Sequence, residues 1–144
     1  MSAPVTPDRA LLERWLNAGA VQNYLCEHCD NLHISEIRSQ EGVLDSRLIP
    51  ESFGLLFTTE LEIRPMALLA LTADLGRLNM EYPLLKLFLD IVDDATPQLV
   101  AAAIFPGNAG ITETQFNHFV AMTMQAMLQL AEECLRLDYL FSED

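Results

Sequence analysis

Basic residues are scarce in this chain. Eight lysines and arginines stand against 21 aspartates and glutamates among 144 residues, a formal net charge of −13. Phosphate backbones and anionic lipid headgroups repel such a surface, which argues against nucleic-acid and membrane-surface roles. Long apolar runs are missing too: Lys86, Asp90 and Pro97 break the longest stretches before they reach membrane-spanning length. The first residues, Met1 to Asp8, place no basic segment before an apolar stretch and do not read as a signal peptide. Three cysteines, Cys26, Cys29 and Cys134, are too few and odd in number for a disulfide framework. A reducing, cytoplasmic compartment is therefore expected. Catalytic signatures are absent: no phosphate-binding glycine loop, no zinc-protease pair of histidines and no serine elbow. Gly107-Asn108-Ala109-Gly110 lacks the lysine or repeated glycines of an anion site and reads as a loop. No enzyme is expected.

What the chain does have is enough apolar content, 51% of its residues, to bury a core of its own. No repeat or linker divides it, so 1–144 reads as one domain. Thr6, Pro7 and Asp8 suit the start of a helix whose Leu11, Leu12, Trp15 and Leu16 share a face, with Gly19 as its stop. Alternation then predicts three strands, over 21–37 with an interruption at the cysteines, 42–49 and 53–63. In the last, Phe53, Leu55, Phe57, Leu61 and Ile63 oppose Thr58, Glu60 and Glu62. A proline-started helix over 65–79 is followed by strands over 84–92 and 98–105. Thr112 and Gln115 have capping-box spacing and open a last helix running to about Leu137. The expected class is α+β, a five-stranded antiparallel sheet with helices packed on it, in the order α-β-β-β-α-β-β-α.

Cys26 and Cys29 form a C-x-x-C pair, with His28 between them and His33 shortly after. Two thiolates at this spacing can chelate one ion, and imidazole is a compatible third ligand, so Cys26, Cys29 and His33 are the candidate zinc ligands. All four donors in so short a stretch would be cramped, and a second C-x-x-C is missing unless another subunit supplies it. A redox pair is the other chemical reading, although strand rather than helix follows. Two cysteines at a strand bend is the plain one. Cys134, on the apolar side of the last helix, reads as a core residue, and Asp90, Asp93 and Asp94 as an acidic hairpin tip without the ligand set of a calcium loop. His118 reads as a surface or boundary residue.

Several short segments, in order, carry a resemblance. Cys26-Glu27-His28-Cys29-Asp30-Asn31-Leu32-His33 leads into Gly42-Val43-Leu44-Asp45. Arg64-Pro65 opens a helix that continues into Ala73-Asp74-Leu75-Gly76-Arg77-Leu78-Asn79. Phe88-Leu89-Asp90-Ile91-Val92-Asp93-Asp94 precedes Pro97-Gln98-Leu99-Val100. In this arrangement the chain resembles the YbjN family, described as bacterial sensory transduction regulators, over nearly its whole length. The resemblance implies the type III secretion chaperone-like fold, a five-stranded antiparallel sheet with helices, and a cytoplasmic protein without catalytic residues. Secretion chaperones of that fold are small acidic homodimers that hold a client segment.

The helices over 65–79 and 112–137 are apolar over more of their circumference than one core-facing stripe needs. Such surplus surface is expected in an interface. Met66, Leu69 and Ala73 are the candidates for self-association as a homodimer, and Met124, Met127 and Leu128 for contact with a protein partner or client. The functional expectation is a chaperone-like, non-enzymatic, protein-binding regulatory module. The alternative is a zinc- or redox-responsive sensor built on Cys26 and Cys29.

Overall fold

Asp8, rather than Thr6, opens the first helix: its carboxylate accepts from the Leu11 N–H at 2.9 Å at the start of α1 (Arg9–Ala18). In the computed structural model, which describes residues 3–29, 31–91 and 95–142, α1 buries Leu12 and Leu16 and ends at Gly19. The chain then forms β1 (Asn23–Leu25) and β2 (Leu32–Ile34), a one-turn helix α2 (Ser35–Arg38), and the long strands β3 (Val43–Glu51) and β4 (Gly54–Glu62). A 3₁₀ turn at Pro65–Ala67 enters α3 (Leu68–Glu81). After it come β5 (Lys86–Asp90), β6 (Gln98–Phe105) and the 24-residue α4 (Glu113–Arg136).

The six strands make one antiparallel sheet in the order β1-β2-β3-β4-β6-β5. Five were expected. The sixth arises because the predicted 21–37 strand doubles back at the cysteines, and Ser35–Arg38 at its end is helical. The Cys26 N–H bonds the Asn31 carbonyl at 3.0 Å and closes this turn. Asp30-Asn31 are strong turn formers in the sequence, but the apolar alternation on either side masks them.

β4 alternates without a fault: Leu55, Phe57, Thr59 and Leu61 are buried while their neighbours are half-exposed. The tight β3–β4 turn depends on Gly54, whose φ of 140° and 2.1 Å clearance between a would-be Cβ and the Phe105 carbonyl oxygen leave no room for a side chain. Phe53 lies in that turn and is exposed rather than on the buried face.

α4 lies across the inner face of the sheet, touching β4, β6, α1 and α2. The expected capping box is present: Thr112 Oγ1 accepts from the Gln115 N–H at 3.1 Å, and Gln115 Oε1 accepts from the Thr112 N–H at 3.0 Å. Because α4 has the sheet on one side and α1 and α2 on others, both of its apolar stripes are consumed internally. Phe116 meets Trp15 at 5.3 Å, and Met127 accepts a hydrogen bond from the Thr59 hydroxyl at 2.9 Å. This corrects the assignment of Met124, Met127 and Leu128 to a partner: the first two are 8% and 1% exposed and the third is half-buried against the core. Met122, 43% exposed, is the methionine that α4 shows to solvent.

α3 is placed differently. Among the strands it packs chiefly against β5, and it buries Leu71 and Leu78, with Leu68 and Leu75 half-buried against the core. Leu69, Ala70, Ala73 and Met80 face outward.

Candidate functional site

The β1–β2 turn gathers the chemistry. β1 and β2 pair Tyr24 with His33, and β2 and β3 pair His33 with Arg47, so all three project on the outer face of the sheet. A β-bulge between Val43 and Asp45 inserts one extra residue into β3. It lies beyond Asp45, which keeps unbroken register with Ser46 and Arg47 and so sits opposite Glu60 on the outer face, alongside His33.

The result is a short chain of polar contacts. His33 Nδ1 is 2.6 Å from Asp45 Oδ1, and His33 Nε2 is 3.3 Å from Cys29 Sγ. An ionised carboxylate only accepts, so in the neutral ring the hydrogen is on Nδ1 and the Nε2 lone pair faces the cysteines. Tyr24 stacks flat on the imidazole, with centroids 4.9 Å apart and planes 7° from parallel. Arg38 in turn covers Tyr24 at 5.5 Å, bonds its hydroxyl, and lies 3.6 Å from Asp45. Asp45 also accepts from the Ser46 N–H at 2.9 Å, and Arg47 pairs with Glu60 at 3.0 Å. His33 is thereby 5% exposed although it stands on the solvent face.

Cys26, Cys29 and His33 present ligand atoms that all lie within 4.8 Å of one another. The structure therefore brings together the three residues whose spacing suggested zinc. Cys29 is exposed and Cys26 half-buried. Hydrogen bonds from the Cys29 thiol, and from the backbone N–H groups of Cys29 and His28, hold the Cys26 thiol down at about 7. Cys134 behaves oppositely: fully enclosed in the core, its thiol is pushed up to about 12 by burial. Asp90 and His118 are exposed, and Asp93 and Asp94 lie outside the described residues.

The helical candidates divide. Met66, Leu69 and Ala73 are exposed, the first two at 89% and 86%. Leu69, Ala73, Gly76 and Met80 recur at helical spacing and form one uncharged stripe along the outside of α3. Among the described residues, nothing lies within 4 Å of where a Gly76 Cβ would be.

Sequence reading missed the side-chain clamp that holds α3 in place. Arg77 bonds Asp74 at 2.6 Å, Glu81 at 2.9 Å and Glu133 of α4 at 3.1 Å. Tyr82 donates to Glu133 at 2.6 Å and Tyr139 to Asp74 at 2.8 Å. Both carboxyls are held below the usual range, Asp74 first by Arg77 and Glu133 first by the Tyr82 hydroxyl. Asn79 binds both polar groups of Leu87 on the edge strand β5, accepting from its N–H at 2.9 Å and donating to its carbonyl at 3.1 Å. The Asp74-to-Asn79 segment is thus a fastening of helix to sheet edge and to α4.

Fold and site together define an α+β protein with a single antiparallel sheet, one face covered by helices, and a thiol–imidazole cluster at its edge. The chain belongs to the YbjN family: residues 8–136 match the family profile described as "Putative bacterial sensory transduction regulator". Its relatives include "Uncharacterized protein YbjN" of Escherichia coli K12 and the protein of the same name in Shigella flexneri. Each is 33% identical over 120 residues, covering 83% of this chain and 76% of the relative. Among solved structures, "Crystal structure of YbjN, a putative transcription regulator from E. coli" superposes with a TM-score of 0.92 at 29% identity, covering 97% of this chain and 99% of that one. No helix among the described residues is long and apolar enough to cross a membrane.

Proposed function

We propose that this chain is a non-enzymatic, cytoplasmic regulatory protein that acts by binding other proteins in a chaperone-like manner, and that it works as a homodimer joined through α3. The observation that carries the reading is the exposure of Leu69 and Met80 at 86% and 82% on a helix whose outer stripe has no charge, continued by Met66, 89% exposed, in the 3₁₀ turn that enters it. Single exposed apolar residues are ordinary; three large ones along one short helix and its entry turn mark an interaction surface. Gly76 supports the same conclusion. A helix-interior glycine costs roughly 1 kcal/mol against alanine, and no contact among the described residues requires it. A second helix could approach closely there, and a stripe of this kind is self-complementary about a two-fold axis. The net charge of −13 opposes association elsewhere on the surface, which favours the uncharged stripe. The family's description as a sensory transduction regulator agrees with a role in binding rather than catalysis.

With Met124 and Met127 in the core, the surface left for a partner is the uncovered face of the sheet. Ile104 and Phe88 are 56% and 39% exposed there, beside the half-buried Ile49 and Leu56.

Light scattering on the wild-type chain and Leu69→Glu tests the dimer. A dimer is expected for the wild type, and a folded monomer for the variant. Either a monomeric wild type or a Leu69→Glu variant that keeps the dimer mass would rule out self-association through α3.

A further inference from the structure

We propose that the β1–β2 turn is a zinc site, in which Cys26 Sγ, Cys29 Sγ and His33 Nε2 bind one ion per chain and leave a fourth position to water. Zinc–sulfur bonds of about 2.3 Å and zinc–nitrogen bonds of about 2.0 Å in a tetrahedron place ligand atoms roughly 3.5–3.8 Å apart. The Cys29–His33 pair, at 3.3 Å, is already close to that separation, and the other two, each within 4.8 Å, need to close by no more than about 1 Å. Side-chain rotation supplies such a movement in a turn where Cys29 is exposed and Cys26 half-buried.

Orientation is the second element. Metal-bound histidines characteristically give their other ring N–H to a carboxylate, which fixes the tautomer and aims the lone pair. Asp45 does this here at 2.6 Å, from the outer face that it shares with Arg47, the β3 partner of His33. Tyr24, stacked on the ring, restrains its remaining freedom. The imidazole is therefore aimed at the two sulfurs by groups outside the turn.

Donor chemistry selects the ion. Two thiolates and an imidazole suit zinc, and exclude calcium and magnesium, which take oxygen ligands. Both thiols lose their protons to solvent on binding. Mechanically, the ion would staple a hairpin whose strands have only three residues each, a length that is marginal without support. The zinc site involves none of the α3 residues, so it stands or falls separately from the dimer.

The test uses the reduced, chelator-stripped wild-type chain titrated with cobalt(II) as the probe, followed by displacement with zinc. One equivalent of cobalt is expected, with the visible bands of a tetrahedral ion and a thiolate charge-transfer band, all bleached by zinc. Cys26→Ser and Cys29→Ser should each abolish stoichiometric binding, and Cys134→Ser should leave it unchanged. His33→Ala should lose binding as well. His33→Gln, with circular dichroism as a check, covers the case in which the buried position does not tolerate alanine. Asp45→Asn should weaken zinc by roughly 10–100-fold while the cobalt spectrum stays tetrahedral, with partial recovery in Asp45→Glu. A reduced wild-type protein that takes up no cobalt overturns the proposal, as does binding that survives both cysteine substitutions.

Discussion

Replacing Glu133 with glutamine should weaken the fold at neutral pH and leave it nearly unchanged in acid. The Glu133 side chain is only 14% exposed and accepts from the Tyr82 hydroxyl at 2.6 Å and from Arg77 at 3.1 Å. Hydrogen bonds to a charged group are worth about 1.5–3 kcal/mol each and neutral ones about 1. Glutamine keeps one acceptor oxygen of similar shape but loses the charge. The expected loss is therefore about 1–2 kcal/mol, or roughly 3–8 °C in Tm for a domain of this size. The pH dependence follows from the direction of the Glu133 shift. Its folded carboxyl is held below its unfolded value, chiefly by the Tyr82 hydroxyl, so its contribution is fully present above the unfolded value and disappears as pH falls through the folded one. Urea unfolding at about pH 7 and about pH 3 measures the difference directly. Equal destabilisation at both pH values, or none at neutral pH, would refute the view that an ionised Glu133 ties α4 to Arg77 and Tyr82.

Other consequences concern the sheet edge and the thiols. Asn79→Ala leaves the Leu87 N–H and carbonyl without their side-chain partner at the β5 edge, and should cost about 1–3 kcal/mol in urea unfolding with faster amide exchange in β5. A variant as stable as the wild type would mean that solvent serves these groups equally well. In the reduced, metal-free chain, alkylation of Cys26 should rise with pH around a midpoint near 7, because hydrogen bonds stabilise its thiolate, while Cys134 stays unmodified until the protein unfolds. Peptide mass spectrometry distinguishes the sites. A midpoint for Cys26 at the ordinary thiol value of 9.0 would contradict the hydrogen bonding in the turn.

Where a segment's own periodicity decides its fate, the sequence was readable. β4 alternates because helices cover one face of the sheet only, and β6 occupies the predicted 98–105. Thr112 and Gln115 carry their capping information within four residues. Features that depend on distant neighbours were not readable. Both α4 stripes look alike in sequence to surplus apolar surface, and only the packing of α1 and α2 against α4 shows that Met124 and Met127 are core. The reverse holds for α3, which lies at the edge of the sheet and so leaves Leu69 outside. The turn at the cysteines and the one-turn α2 are too short to impose a period. In the cluster itself, C-x-x-C with a following histidine is a local pattern and was legible. Its link to Asp45 was not, since it rests on the pairing of β2 with β3 across twelve positions.

The central claim is that the outer stripe of α3 is an interface between two copies of the chain. Amide exchange measured over a wide range of protein concentration addresses it most directly, because a dimer protects the elements it covers and the protection follows mass action. Amides of α3 (Leu68–Glu81) are expected to exchange more slowly as concentration rises, while those of β1 and β2 do not change. Exchange in α3 that is independent of concentration, or concentration-dependent protection confined to other elements, would contradict it.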